Sequence, residues 1–192
     1  MITKIDAAEQ QLNTAIRLFF ENRDSLSAYV LAVASREVTN DLVESRYSEL
    51  YQRELARVGD PQKVRLSIRD EWKIRIKSEC QRDFFRLDHK VQNFLKHADQ
   101  DPNAEIKQIT GRQLAFAIIS AIWNYVLLAR CRTAEMAIFF AWFEVAEPQV
   151  IRDSPEHEDI NKASLEMRNF IGRDPYGRET LLNIYKAMQE KI

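Results

Sequence analysis

Apolar residues recur every three or four positions at the start of the chain, the spacing that places side chains on one face of an α-helix. The first such set is Ile5, Ala8, Leu12, Ile16 and Phe19. The polar run "ENRD" ends this helix, and Asp24 or Ser25 can cap the next one. The second helix carries the apolar residues Leu26, Val30, Val33 and Leu42. The chain therefore begins with two amphipathic helices.

Breaker residues divide the rest of the chain into further segments. The second helix can continue through "LVESRYSELYQRELARV" until "GDP" at 59–61 stops it. The stretch 64–77 alternates as a hairpin would and also fits a helix face. A helix is favoured there, because its neighbours are helical and a lone hairpin is marginal. Two C-terminal helices are predicted within 155–192, the second after "DPYG".

Two stretches, "RQLAFAIISAIWNYVLLAR" and "MAIFFAWFEVA", are apolar nearly all round. The uncharged run 113–129 is slightly short for a membrane span and contains polar residues, so no membrane partner is expected. Such helices form the centre of a helical domain or a dimer interface. A chain of this size has few other helices to cover them, which predicts a symmetric homodimer. The aromatic residues predicted in the core are Phe116, Trp123, Phe139, Phe140, Trp142 and Phe143.

Composition narrows the class of protein further. The chain has 192 residues, with only 4 glycines and 5 prolines, which argues against an all-β fold and favours one all-α domain over 1–192. The formal net charge of −1 provides no general basic field, so DNA specificity is not expected. Cys80 and Cys131 are too far apart for a redox or metal motif, and Cys131 is expected inside an apolar helix. The charged N-terminus is unlike a signal peptide, and a cytoplasmic location without a cofactor is expected.

The segment "CQRDFFRLDHKVQNFLKHAD" predicts one helix with two separate faces. The apolar face contains Phe84, Leu87, Val91, Phe94, Leu95 and Ala98. The opposite face contains Arg82, Arg86, His89, Asn93, Lys96 and His97. Two interpretations are open: a solvated face with an ordinary C-terminus ended by "DQDP", or a site for anions or RNA. His97, Asp99 and Asp101 are a weak metal set, and no metal is expected.

The block "NFLKHADQDP" at 93–102 resembles that of a largely uncharacterised family of small all-helical bacterial proteins with the pattern NFxKHADxDP. The segments "QLNTAIRLFFENRDSLSAYVLA" and "FFAWFEVAEP" are similar to that family's first helical hairpin and late aromatic helix. The resemblance covers roughly residues 5–150, with the helices of 155–192 appended. The family in turn resembles the HEPN superfamily, which implies a HEPN-like helical bundle and dimerisation.

Many HEPN proteins are metal-independent ribonucleases with an arginine, then four to six residues, then a histidine, usually in the pattern Arg-polar-x-x-x-His. Counting back from His97, the arginine position here holds Gln92, which carries no charge to stabilise a developing phosphorane. A second pair, Arg82 and His89, has allowed spacing but lies outside the family block. The resemblance therefore implies the fold and a site near His97, without standard ribonuclease chemistry.

Two functions from different classes follow. The first is a homodimeric interaction or regulatory module with a possible protein partner and no standard catalysis. The second is an RNA-binding or ribonuclease-like protein that uses the face with Arg82, His89, Asn93, Lys96 and His97. The candidate catalytic residues are His97, His89 and Arg82, and the candidate anion-binding residues are Arg86, Asn93, Lys96 and His97.

Overall fold

The structure, a computed structural model, describes residues 1–64, 76–96, 108–148 and 174–190, together with 103, 105, 150, 167 and 171. These residues form seven α-helices and one 3₁₀ helix, with no β-strand in the described ranges. The helices are α1 (Lys4–Phe20), α2 (Ser25–Ser45), α3 (Tyr47–Val58), the 3₁₀ helix (Pro61–Lys63), α4 (Ser78–Lys96), α5 (Gly111–Ala129), α6 (Ala134–Ala146) and α7 (Arg178–Gln189). The predicted all-α class is confirmed.

Side chains at the N-termini explain where several helices begin. Thr3 and Thr110 each form a reciprocal capping box with the residue three positions later, at the starts of α1 and α5. At α2, the Asp24 carboxylate accepts a hydrogen bond from the Ser27 backbone N–H at 3.0 Å, so Asp24 rather than Ser25 is the cap. These bonds satisfy backbone donors that a helix start leaves unpaired.

The predicted continuation of α2 to position 58 is wrong, because the helix breaks at Arg46. Arg46 has φ −111° and ψ 17°, outside the helical region, and α3 begins at the next residue. Gly59 then ends α3 with φ 69°, a left-handed conformation that glycine adopts without a Cβ penalty. The separate α3 buries Leu50 and Glu54.

Helix α5 forms the centre of the core and packs against α1, α2, α4 and α6. Its length and composition would allow it to cross a membrane, but most of it is buried inside the protein, as in the core helix of a soluble protein. The six aromatic residues predicted in the core are all buried, which confirms that prediction. Rings from α1 and α6 interlock beside α5, with Phe19 and Trp142 edge to face at 4.7 Å.

The other helices of the chain cover α5, so its apolar surface does not need a second copy of the chain to bury it. Every α5 residue from 113 to 128 is buried except Val126, which is half-buried. The dimer was predicted from the apolar length of α5 alone, but two long helices of the same chain, α1 and α2, pack on α5. The homodimer itself stays a prediction, and its interface would have to lie elsewhere.

The predicted apolar face of α2 meets the core only in part, because Val33 is buried and Leu42 is half-buried whereas Leu26 and Val30 are exposed. Leu26 and Val30 are 47% and 45% exposed, while the buried side carries small, aromatic and polar residues: Ala28, Tyr29, Ala32, Val33, Ser35, Arg36, Thr39 and Val43. The Ser35 hydroxyl donates to the Ala8 carbonyl at 2.8 Å, which lets a polar residue lie against α1. A count of apolar positions does not detect such a face.

The remaining predictions concern Cys131, the stretch 64–77 and the C-terminal helices. Cys131 is exposed and lies beyond the end of α5, not inside an apolar helix. Val64 is extended, and Lys77 donates its N–H to the Val150 carbonyl at 2.8 Å, so both ends of the stretch 64–77 lie outside helices. Residues 65–75 lie outside the described residues, as does most of the helix predicted before Gly172. The last predicted helix is confirmed as α7.

Candidate functional site

The predicted site lies on α4, which the structure confirms as a helix from Ser78 to Lys96. Arg82, Arg86 and Asn93 are exposed. At about 100° per residue, the three lie within about 40° of one another around the helix axis. Val91, on the other side, is buried against the core. The described part of the predicted polar face is therefore open to solvent.

The charge of this face is only weakly neutralised. Arg86 pairs with Asp83 at 3.4 Å, but both side chains are more than 60% exposed, and surface pairs of this kind contribute little. Gln92, which stands at the position of the HEPN arginine, is half-buried and lies about 80° away from Arg82 around the helix. Gln92 is thus not part of the exposed face.

The side chains of the remaining candidate site residues are not among those that the structure describes. The side chains of His89 and Lys96 lie outside the described residues, and so do His97, Asp99 and Asp101. The candidate catalytic residues His97 and His89 thus stay predictions. Within the described ranges, no three His, Cys, Asp or Glu side chains lie close enough to hold a metal ion.

A buried carboxylate that the sequence analysis missed joins three parts of the chain. Glu147, just after α6 and only 2% exposed, accepts two hydrogen bonds from the Arg112 guanidinium, both at 2.9 Å. The Tyr176 hydroxyl donates to the same carboxylate at 2.7 Å. Tyr176 also lies against Gly111, where a Cβ would approach its ring to 2.9 Å. We call Arg112, Glu147 and Tyr176 the carboxylate clamp.

The electrostatics of the carboxylate clamp are those of a structural site. Burial, followed by the charge of Glu147, raises the pKa of Tyr176 far above its usual range. Burial disfavours the charged form of Arg112 and lowers its pKa. The hydrogen bonds and charge of Glu147 outweigh burial, so the pKa of Arg112 is raised. Both groups therefore keep their protons near neutral pH. The hydrogen bonds of the clamp hold the segment before α7 against α5 and α6.

Two more acidic side chains are engaged in the same way. Arg17 of α1 donates to the buried Glu135 of α6 at 2.8 Å. Tyr125 of α5 donates to Glu9 of α1. Burial first, and Glu9 second, raise the pKa of Tyr125 well above its usual range. These contacts connect helices, and only Glu135 had a weak sequence signal, since it is a charged residue inside an apolar helix.

The outer side of α2 carries exposed apolar residues. Leu26 and Val30 are one turn apart and nearly half exposed, and Ala34, one turn further, is half-buried. At about 100° per residue, this outer stripe lies roughly opposite the buried face of α2. We call Leu26, Val30 and Ala34 the outer stripe.

Comparisons with known proteins do not identify the chain, because no protein-family model, curated protein or solved structure matches it. The outer stripe and the polar face of α4 are the two surfaces whose geometry points to a function.

Proposed function

We propose that the protein is a HEPN-like helical interaction or regulatory module that acts as a homodimer through α2, without standard catalysis. The observation that carries this proposal is the outer stripe. A helix that packs on a core needs one apolar face, and α2 has a second one with no partner among the described residues.

The energetics favour pairing of two such stripes. Burying a leucine or valine side chain completely contributes roughly 1.5–3 kcal/mol, and two-fold symmetry counts each residue twice. Acidic residues follow further along the same side of α2, at Glu37 and Asp41. An antiparallel crossing centred on Leu26 and Val30 keeps the acidic ends of the two helices apart, which avoids like-charge repulsion.

The non-catalytic character is supported by two features. Gln92 occupies the position of the family's arginine and is half-buried, so no guanidinium is offered there. The buried Glu54, Glu135 and Glu147 are all paired with arginines. The HEPN-like assignment is supported by the block at 93–102 and by the helical pair α1 and α2 in the region of the family's first hairpin.

Light scattering and sedimentation velocity test the dimer. The native protein is expected to have twice the mass of one chain at micromolar concentration. The double variant Leu26→Asp/Val30→Asp should be monomeric with an unchanged helical circular dichroism spectrum, because both side chains already face solvent in one chain. Leu95→Asp, the same change at an exposed leucine of α4, is the matched control and should leave the dimer intact.

A monomeric native protein would rule out the homodimer. A dimer that resists Leu26→Asp/Val30→Asp would place the interface elsewhere. A dimer disrupted equally by Leu95→Asp would show that any added charge weakens association and that α2 is not special.

A second candidate function is weak binding of RNA along α4, and the exposed, co-facing Arg82, Arg86 and Asn93 favour it. Guanidinium groups on one helix face suit the phosphate backbone, and such binding weakens steeply as salt rises. Lys96 and His97 would extend this face if α4 continues in the predicted pattern. Cleavage is expected to be slow or absent because of Gln92.

A titration of short single-stranded RNA at low and moderate salt tests the second candidate. Arg82→Gln/Arg86→Gln and His97→Ala should each weaken binding, whereas Arg23→Gln, an exposed arginine before α2, should not. Equal binding by all four proteins, or none at low salt, would leave this face as an ordinary solvated helix surface. New cleavage by Gln92→Arg would instead reveal an intact ribonuclease geometry.

A further inference from the structure

Three arginines lie together where α3 meets the end of α5, and two of them pair with one buried carboxylate. Glu54 of α3 is 3% exposed and accepts from the Arg57 Nε at 3.0 Å, and it also pairs with Arg130. Arg53, one turn before Arg57, donates from Nη2 to the Leu127 carbonyl at 3.0 Å. Arg130 directly follows α5 and has a left-handed backbone with φ 61°. We call Arg53, Arg57 and Arg130 the arginine triad.

The charges in this cluster do not cancel. Arg57 and Arg130 share the Glu54 carboxylate, and Arg53 adds a third guanidinium group bonded only to a neutral carbonyl, so these four side chains carry an excess of two positive charges. The C-terminal carbonyls of α5 offset about half a charge. Burial, followed by repulsion from Arg53, lowers the pKa of Arg130, as expected where guanidinium groups crowd together. By contrast, the carboxylate clamp matches one arginine with one carboxylate.

The arginine triad is also exposed and held in place. The Arg57 side chain is 66% exposed and that of Arg130 is 36% exposed, so both remain accessible from solvent. Glu54 and the Leu127 carbonyl restrain the guanidinium groups before any ligand arrives, which lowers the entropy lost on binding. In a chain with a net charge of −1, this restrained surplus of positive charge is a local exception.

We propose that the arginine triad is a binding site for a phosphate group, with Glu54 as the residue that positions two of its arginines. The planar fork of a guanidinium matches the oxygens of phosphate in a bidentate arrangement, and three such donors suit a multiply charged anion better than a carboxylate. This site is on α3 and α5, separate from the outer stripe of α2 and the polar face of α4.

The phosphate can come from two sources, an inorganic phosphate or a nucleotide. Tyr47 and Tyr51 stack on the same helix with ring centroids 6.2 Å apart, and Tyr47 is 55% exposed. An exposed aromatic ring on the helix that carries two of the three arginines offers a surface for a base. Tighter binding of a nucleoside diphosphate than of pyrophosphate would therefore identify the nucleotide as the source, and equal binding would identify the phosphate alone.

Isothermal titration of the full chain with pyrophosphate at low ionic strength tests the site. Saturable binding is expected, and Arg57→Gln or Arg53→Gln should weaken it roughly 10- to 100-fold, the effect of losing one charged hydrogen-bond partner. Arg57→Lys, which keeps the charge and loses the fork, should fall in between. Arg23→Gln is the matched control at a distant exposed arginine and should bind like the native protein.

No saturable pyrophosphate binding by the native protein would overturn the proposal, as would equal binding by Arg57→Gln, Arg53→Gln and the native chain. If a variant does not fold, the native protein decides the matter through arginine modification by phenylglyoxal, mapped by mass spectrometry. Pyrophosphate should protect Arg57 and leave Arg23 reactive, and equal reactivity with and without pyrophosphate would overturn the site.

Discussion

Helices α5 and α2 are both rich in apolar residues, yet the protein uses them differently. Helix α5 is buried on nearly every side by α1, α2, α4 and α6. Helix α2 buries one side and leaves the outer stripe in solvent. Apolar content therefore does not tell which surface enters the core, because this depends on how many neighbours surround the helix. An apolar face that remains exposed is a candidate surface for binding a partner.

Polar residues of the two helices can be buried, just as apolar residues can be exposed. Asn124 is buried in α5 because its amide donates to Asn40 Oδ1 at 2.6 Å and to the Arg36 carbonyl at 3.3 Å, both on α2. Ser120 donates to the Phe116 carbonyl at 2.7 Å within α5. Asn124 and Ser120 thus both have partners, so their burial does not carry the full desolvation cost.

The largest expected effect comes from removing an aromatic ring from α5. Trp123 is 4% exposed, and Trp123→Ala should lower the free energy of unfolding by about 3–5 kcal/mol, because it creates a cavity. Val30→Ala on the outer stripe should change it by less than about 0.5 kcal/mol when the chain is monomeric. Urea denaturation of both variants measures the difference, and similar losses would contradict the contrast between the two helices.

A smaller loss is expected at the N-terminus of α5, where Arg112 belongs to the carboxylate clamp. Arg112→Met removes two charge-assisted hydrogen bonds from the buried Glu147, and should cost about 3 kcal/mol, near the lower end for a broken buried pair because Arg112 is partly exposed. Arg23→Met, which removes an exposed pair with Glu21, is the control and should cost less than about 0.5 kcal/mol. Equal denaturation midpoints for both variants would show that the clamp does not stabilise the fold.

The contact between α5 and α1 gives a pH-dependent prediction. Tyr125→Phe should cost roughly 1–2 kcal/mol at neutral pH, because it removes the hydrogen bond to Glu9. The folded-state pKa of Tyr125 is raised, so the native protein has its full stability below the unfolded-state pKa of about 10 and loses it as pH rises above that value.

Thermal unfolding between neutral pH and strongly alkaline pH measures this effect. The alkaline loss should be smaller in Tyr125→Phe and smaller still in Tyr125→Phe/Tyr176→Phe, because Tyr176 has a raised pKa too. A loss of the same size in the native protein and the double variant would mean that these tyrosines do not limit alkaline stability.

The smallest effect on stability is expected on the outer stripe of α2. Leu26→Ser should change the unfolding free energy of the monomer by less than about 0.5 kcal/mol, because the side chain already contacts water. Its effect should appear in the mass distribution by sedimentation instead. A loss of several kcal/mol at a concentration where the chain is monomeric would show that Leu26 packs within one chain.

The helical class, most of the helix starts and stops, and the aromatic core could be predicted from the amino-acid sequence. These features rest on signals within about one helical turn, such as Asp24 capping α2 and Gly59 ending α3, or on uninterrupted apolar runs as in α5. The α4 helix and the exposure of Arg82, Arg86 and Asn93 on it also followed from local periodicity.

The packing of the helices sets which face of α2 meets the core and which charged groups pair with one another. Glu147 finds Arg112 and Tyr176 at sequence separations of 35 and 29 residues, and Arg130 reaches Glu54 from the far end of α5. Periodicity describes the faces of one helix but not their neighbours in space. The outer stripe and the arginine triad arise from the packing of helices distant in sequence, and so they became visible only in the folded chain.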